Sequence, residues 1–166
     1  MPLNSDNTLL TTPADRTTVI THVFNAPREL VWQAMTQPEH VRQWYGLRAM
    51  TMITCEIDLR VGGRWRYVLR SPDGQEYGFS GEYREIVAPE RVVFTEGFET
   101  MPGHEYVVTA VYTEQDGKTT LTSTLLYQSN ADRDGHLGSG MEGGMRETYE
   151  RLDQHLAALM DAPTSK

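Results

Sequence analysis

A single apolar stripe near the end of the chain constrains the fold more than any other feature. Met141, Met145, Tyr149, Leu152, Leu156 and Leu159 follow one another at steps of four, four, three, four and three, the repeat of one face of a helix. Arg146, Glu150, Arg151, Asp153 and Gln154 fall on the opposite side. The stripe predicts a long helix over 131–160, the only long amphipathic helix in the sequence. Gly135, Gly138, Gly140, Gly143 and Gly144 crowd its first half. Glycine costs helix propensity, roughly 1 kcal/mol against alanine. Either the helix starts later, or a glycine permits close approach to another element, Gly144 being the best candidate.

What precedes this helix reads as strand after strand. Residues 17–24 alternate β-branched and polar side chains, as a half-buried strand does. Two short helices follow: one over 27–35, with Pro27 in its first turn and Asn25 as its cap, and one that starts near Pro38 and stops by Gly46. Strands are then expected over 50–59, 64–70, 77–87, 91–96, 105–113 and 118–127. Turn signals at Gly62-Gly63, Ser71-Pro72-Asp73-Gly74, Ala88-Pro89 and Asp116-Gly117 separate most of them. Hairpin links make such a sheet antiparallel. The expected architecture is α+β: seven antiparallel strands curved around one long C-terminal helix, with the two short helices after the first strand closing one end.

Composition narrows the setting. The 166 residues suit one domain, with 39% hydrophobic and 23% charged residues. We expect a flexible tail over 1–16, a single domain over 17–160 and a second flexible tail over 161–166. The net charge of -8, with no run of Lys or Arg, disfavours nucleic acid as a partner. Cys55 is the only cysteine, so no intramolecular disulfide and no thiolate cluster can form. No stretch has the length of a membrane span, and residues 1–15 lack the apolar core of a signal peptide. The expectation is a cytoplasmic protein that does not insert into membranes.

Four stretches, taken in order, resemble a known family: FNAPRELVWQAMTQPEHVRQWYG (24–46), EIDLRVGGRWRY (56–67), PDGQEYGFSGEYREIVAPERVVFTE (72–96) and GMEGGMRETYERLDQHL (140–156). This is the activator of heat-shock-protein-90 ATPase homologue-like family, within the SRPBCC (START / Bet v 1-like) superfamily. The resemblance implies a helix-grip (Bet v 1-like) fold with a cavity between sheet and C-terminal helix. Superfamily relatives bind lipids, steroids, polyketides or plant hormones there, and some catalyse cyclisation or hydrolysis.

The residues themselves supply a wall for such a cavity. Trp65 and Tyr67 share a strand face opposite Arg64 and Arg66, and Phe79 shares one with Tyr83. Core filling accounts for any one of these rings, yet a Trp, Tyr and Met set suits an amphipathic pocket better than a Leu/Val core does. The candidate ligand-binding residues are Trp44, Trp65, Tyr67, Phe79, Phe94, Met141, Met145 and Tyr149.

No catalytic residue, metal site or cofactor is assigned. His22, His40, His104, His136 and His155 show no HExxH or i, i+4 spacing. Gly138-Ser139-Gly140 is not a nucleophile elbow, and Gly62-Gly63 is a turn and not a phosphate cradle. Cys55 reads as a buried, inert thiol, and His104 as a solvated loop histidine. Asp58 and Arg60, expected on one strand face, read as a structural pair or edge salt bridge, with a ligand-orienting role as the alternative. Glu82, Glu85 and Glu96 are acids or bases only if one enters the cavity. The leading expectation is binding of a small hydrophobic or amphipathic molecule without catalysis. A cyclase or hydrolase using a cavity carboxylate, and a chaperone-ATPase regulator, are the alternatives. A homodimer through a sheet edge or helix face stays open.

Overall fold

The computed structural model describes residues 7–161. Its strands are β1 (Thr8–Thr11), β2 (Thr17–Phe24), β3 (Thr51–Ile57), β4 (Arg64–Arg70), β5 (Glu76–Val87), β6 (Arg91–Phe98), β7 (Tyr106–Gln115) and β8 (Lys118–Leu126). They form one antiparallel sheet in the order β1-β2-β8-β7-β6-β5-β4-β3. Short links hold most neighbours together. In the β7–β8 hairpin both Asp116 (φ 55°) and Gly117 (φ 78°) adopt the left-handed conformation, the twist-matched turn for two strands.

The sheet has eight strands where seven were expected. The additional strand lies within the expected tail, at residues 8–11, where a four-residue TLLT segment carries too little pattern to stand out. Pairing with β2 makes it a strand: Thr8 lies opposite His22 and Thr11 opposite Val19. Thr8 is 1% exposed. Residues 1–6 of the expected N-terminal tail and 162–166 of the C-terminal one lie outside the described residues, while Asp161 is the last residue of a helix.

Helices α1 (Arg28–Thr36) and α2 (Pro38–Trp44) sit between β2 and β3, as expected. Pro38 occupies the first turn of α2, and Gly46 (φ 90°) turns the chain beyond it. Asn25 does not cap α1; Pro27 holds the cap position, and the exposed first-turn N–H of Arg28 donates to Glu114 Oε1 at 2.7 Å.

The expected single C-terminal helix is two, α3 (Asn130–Gly138) and α4 (Met141–Asp161), giving four helices in all among the described residues. Ser129 starts α3 by accepting from the Asp132 amide at 3.0 Å. Gly140 then takes φ 86°, a left-handed conformation that ends one helix before the next begins. Close approach is not what the glycines provide. A Cβ at Gly144 would stand 3.8 Å from Leu47, an ordinary contact, and one at Gly135, Gly138, Gly140 or Gly143 would meet nothing.

The stripe on α4 is divided by what lies beneath it. Leu152 and Leu156 are fully buried against Phe24, Val31, Ala34, Val41 and Leu121, where α1 and α2 fill the concave side of the sheet. Met141, Met145 and Tyr149, one to three turns earlier, border open space that Met35 of α1 and Trp44 of α2 also line. The polar side of α4 is also anchored. Asp153 accepts from His22 Nε2 at 3.0 Å, while His22 Nδ1 meets Thr8 Oγ1 at 2.6 Å, linking α4, β2 and β1. Arg151 donates to the carbonyls of Gln43, Tyr45 and Gly46 at 3.1, 3.2 and 2.9 Å. Neither residue is part of a merely solvated face.

Candidate functional site

Strand parity builds the site. Inward rows run Trp65-Tyr67-Leu69 on β4, Tyr77-Phe79-Gly81-Tyr83 on β5, Val92-Phe94-Glu96 on β6 and Tyr106-Val108-Ala110-Tyr112 on β7. Under the unfilled half of α4 these rows enclose a cavity of about 470 Å³. Met141, Met145, Thr148 and Tyr149 form its roof, and Trp44, Tyr45 and Leu47 form one side. Volume and apolar lining both match those of small-molecule sites.

All eight candidate residues, Trp44, Trp65, Tyr67, Phe79, Phe94, Met141, Met145 and Tyr149, line this cavity. Their side chains are held in place. The Trp44 indole N–H donates to the Ala34 carbonyl at 2.8 Å, and that of Trp65 to the Thr95 carbonyl at 3.2 Å. Phe94 meets Trp65 edge-on with centroids 5.9 Å apart, Phe79 stacks on Phe98 at 5.2 Å, and Tyr149 stacks on His22 at 4.7 Å.

The candidate set omits several wall residues that the same parity reaches, Tyr83 among them although it shares the face of Phe79. Tyr83 lies four residues beyond Phe79, and Tyr106 and Tyr112 share a row of β7. Tyr45 packs on Tyr67 with centroids 4.7 Å apart. His136 on α3 also reaches the wall. No strand pattern points to it, because its placement depends on the break at Gly140.

Of the three glutamates left open, Glu96 enters the cavity. Two residues beyond Phe94 on β6, it continues the inward row. Its cross-strand partner Tyr106 donates a hydrogen bond to Oε2 at 2.7 Å. Burial pushes the Glu96 carboxyl above its usual range, and the Tyr106 hydroxyl partly opposes this by stabilising the anion. Burial raises the phenols of Tyr45, Tyr67 and Tyr106 well above their usual value, with the charge of Glu96 next in effect at Tyr45 and Tyr106, so all three remain protonated donors. His136 bonds the Tyr127 hydroxyl through Nδ1 at 2.6 Å, and burial lowers its pKa toward the neutral imidazole. The cavity thus has aromatic walls and one polar end.

The other candidates stand elsewhere. Glu85 is exposed and paired with Arg91, and Glu82 is outside the lining. Asp58 and Arg60 do pair, at 2.9 Å, on the exposed link after β3 and not on a strand face. Burial raises the Cys55 thiol, whose Sγ lies 3.8 Å from the Pro38 carbonyl, so the reactive thiolate is disfavoured. His104 is an exposed loop residue beside Asp132 at 2.9 Å, and His40 bonds His155 at 2.9 Å between α2 and α4.

Comparison with known proteins agrees with this architecture. The family described as Activator of Hsp90 ATPase homolog 1-like protein matches residues 25–157. A crystal structure of a Rhodobacter sphaeroides protein is 28% identical, with a TM-score of 0.87 over 92% of this chain and 99% of that one. A Mycobacterium smegmatis protein is 27% identical, with a TM-score of 0.76 over 91% and 99% of the two chains. The AHSA1 protein of Silicibacter pomeroyi, 22% identical with a TM-score of 0.71 over 86% and 99%, shares the fold. Among curated proteins no match is found.

Proposed function

The chain belongs to the Activator of Hsp90 ATPase homolog 1-like family, and on that premise we propose that it binds a small hydrophobic or amphipathic molecule between its sheet and α4. One observation carries this reading: a cavity of about 470 Å³, walled by aromatic and Met side chains, with Glu96 at a polar end. A protein core is normally close-packed, so an open volume of this size beside a well-filled half is a feature to be explained by an occupant. Rings fixed by backbone hydrogen bonds favour a preformed site, which lowers the ordering cost of binding. The free cysteine favours a cytoplasmic setting.

Native mass spectrometry of protein purified without denaturation tests the proposal, together with titration of the neutral dye Nile red. A released small molecule, or saturable one-to-one dye binding weakened by Met145→Trp, is the expected result. Neither adduct nor dye binding would sink it.

A second reading, a reaction carried out in the same cavity, is favoured by Glu96 and His136 in its wall. Recovery of the released molecule chemically unchanged after prolonged incubation with fresh protein separates binding from turnover.

A further inference from the structure

Among the described residues the cavity wall carries one carboxylate and no Lys or Arg. Glu96 Oε2 is taken by Tyr106, while Oε1 receives no hydrogen bond from the described residues. The phenol rings of Tyr45, Tyr67, Tyr106 and Tyr149 line the same cavity, with Tyr106 in direct contact with this carboxyl. Such a cavity holds an acid with no Lys or Arg in its lining and electron-rich aromatic rings in the same wall. Aromatic rings attract cations through their quadrupole, most strongly where water is excluded. A buried anion is likewise stabilised by any cation that enters beside it. Both effects select the same kind of ligand. The chain's net charge of -8 acts in the same direction at longer range.

We propose that the cavity selects organic ammonium ions with an apolar body, Glu96 Oε1 pairing with the cationic nitrogen and the rings of Tyr45, Tyr67 and Tyr149 enclosing it. This rests on the reading of the cavity as a ligand site and adds the sign of the ligand's charge. The Met and aromatic wall accommodates the hydrocarbon portion, and the carboxylate determines which headgroup is accepted.

Three probes of equal chain length, decylamine, decanol and decanoic acid, separate the possibilities by isothermal titration calorimetry at neutral pH. The amine is expected to bind about tenfold or more tighter than the alcohol, with the acid weakest. Glu96→Gln should lower the affinity for decylamine to that for decanol, with its circular dichroism spectrum and urea denaturation showing that the variant folds. In the wild type the preference should fade as acid protonates Glu96. Decanol or decanoic acid binding as tightly as decylamine to the wild type would overturn the ammonium assignment and leave the cavity a ligand site. An unchanged preference in Glu96→Gln would overturn it equally. Failure of all three probes to bind would overturn both readings.

Discussion

Trp65 faces Gly81 across the β4–β5 ladder, and its indole occupies the space that a side chain at position 81 would need. A Cβ there would stand 2.7 Å from Trp65 Nε1 and 1.7 Å from the Thr95 carbonyl oxygen. The missing side chain lets the Trp65 ring cross β5 and donate to Thr95 on β6, fixing one wall of the cavity.

Gly81→Ala is therefore expected to destabilise the fold by about 1–3 kcal/mol, the usual scale of overpacking, because backbone must move and not merely a side chain. Urea denaturation followed by tryptophan fluorescence measures it. An unchanged midpoint would show that the strands yield freely at this crossing.

The two halves of the α4 stripe should respond differently to truncation. Leu152 is 0% exposed in the filled core, so Leu152→Ala is expected to cost about 2–5 kcal/mol. Met145 already borders open volume and gives up fewer packing contacts, so Met145→Ala should cost about 1 kcal/mol or less. Equal losses in the two variants, compared by their denaturation midpoints, would mean that the cavity is closed in solution.

These differences mark where the sequence was legible. Period-two alternation located β2 and β4–β8, and it identified Trp65, Tyr67 and Phe79 as inward, because parity is a local property. The same parity, continued two residues from Phe94, reaches Glu96; a charged residue in an apolar row was the available signal. β1 was illegible because its four residues acquire meaning only from their pairing with β2. His22 had no local signature either. Its partners, Thr8 and Asp153, lie 14 and 131 residues away in sequence. The stripe on α4 was plain, but not which of its residues would meet core and which would meet cavity. That division depends on how far α1 and α2 extend beneath the helix.

Arg151 shows how a charge on the outer side of α4 can shape the cavity's edge. Its guanidinium reaches the carbonyls of Gln43, Tyr45 and Gly46, the segment that presents Trp44 and Tyr45 to the cavity. Lysine keeps the charge but cannot present the same planar set of donors. Arg151→Lys is expected to lose about 1–2 kcal/mol of stability. It should also accelerate amide hydrogen exchange around residues 43–47. Exchange unchanged in that segment would show that α2 and its following turn are held without the arginine.

The pH dependence of stability follows from Glu96. Its folded-state pKa is raised, chiefly by burial, whereas the unfolded chain returns it to the ordinary carboxylate value near 4.5. Between those two values the folded protein binds more proton than the unfolded one, so stability falls as pH rises. Glu96→Gln removes the titrating group and keeps much of its shape. The stability of the wild type relative to Glu96→Gln should therefore be greatest below the ordinary carboxylate pKa. It should decline as pH rises through the folded value and then level off. Tyr106→Phe removes the hydrogen bond that opposes the shift, so the decline should extend to higher pH. Urea denaturation of the three proteins across that range measures the effect. A difference between wild type and Glu96→Gln that does not vary with pH would show that the carboxyl is solvated, with no desolvated acid at the end of the cavity.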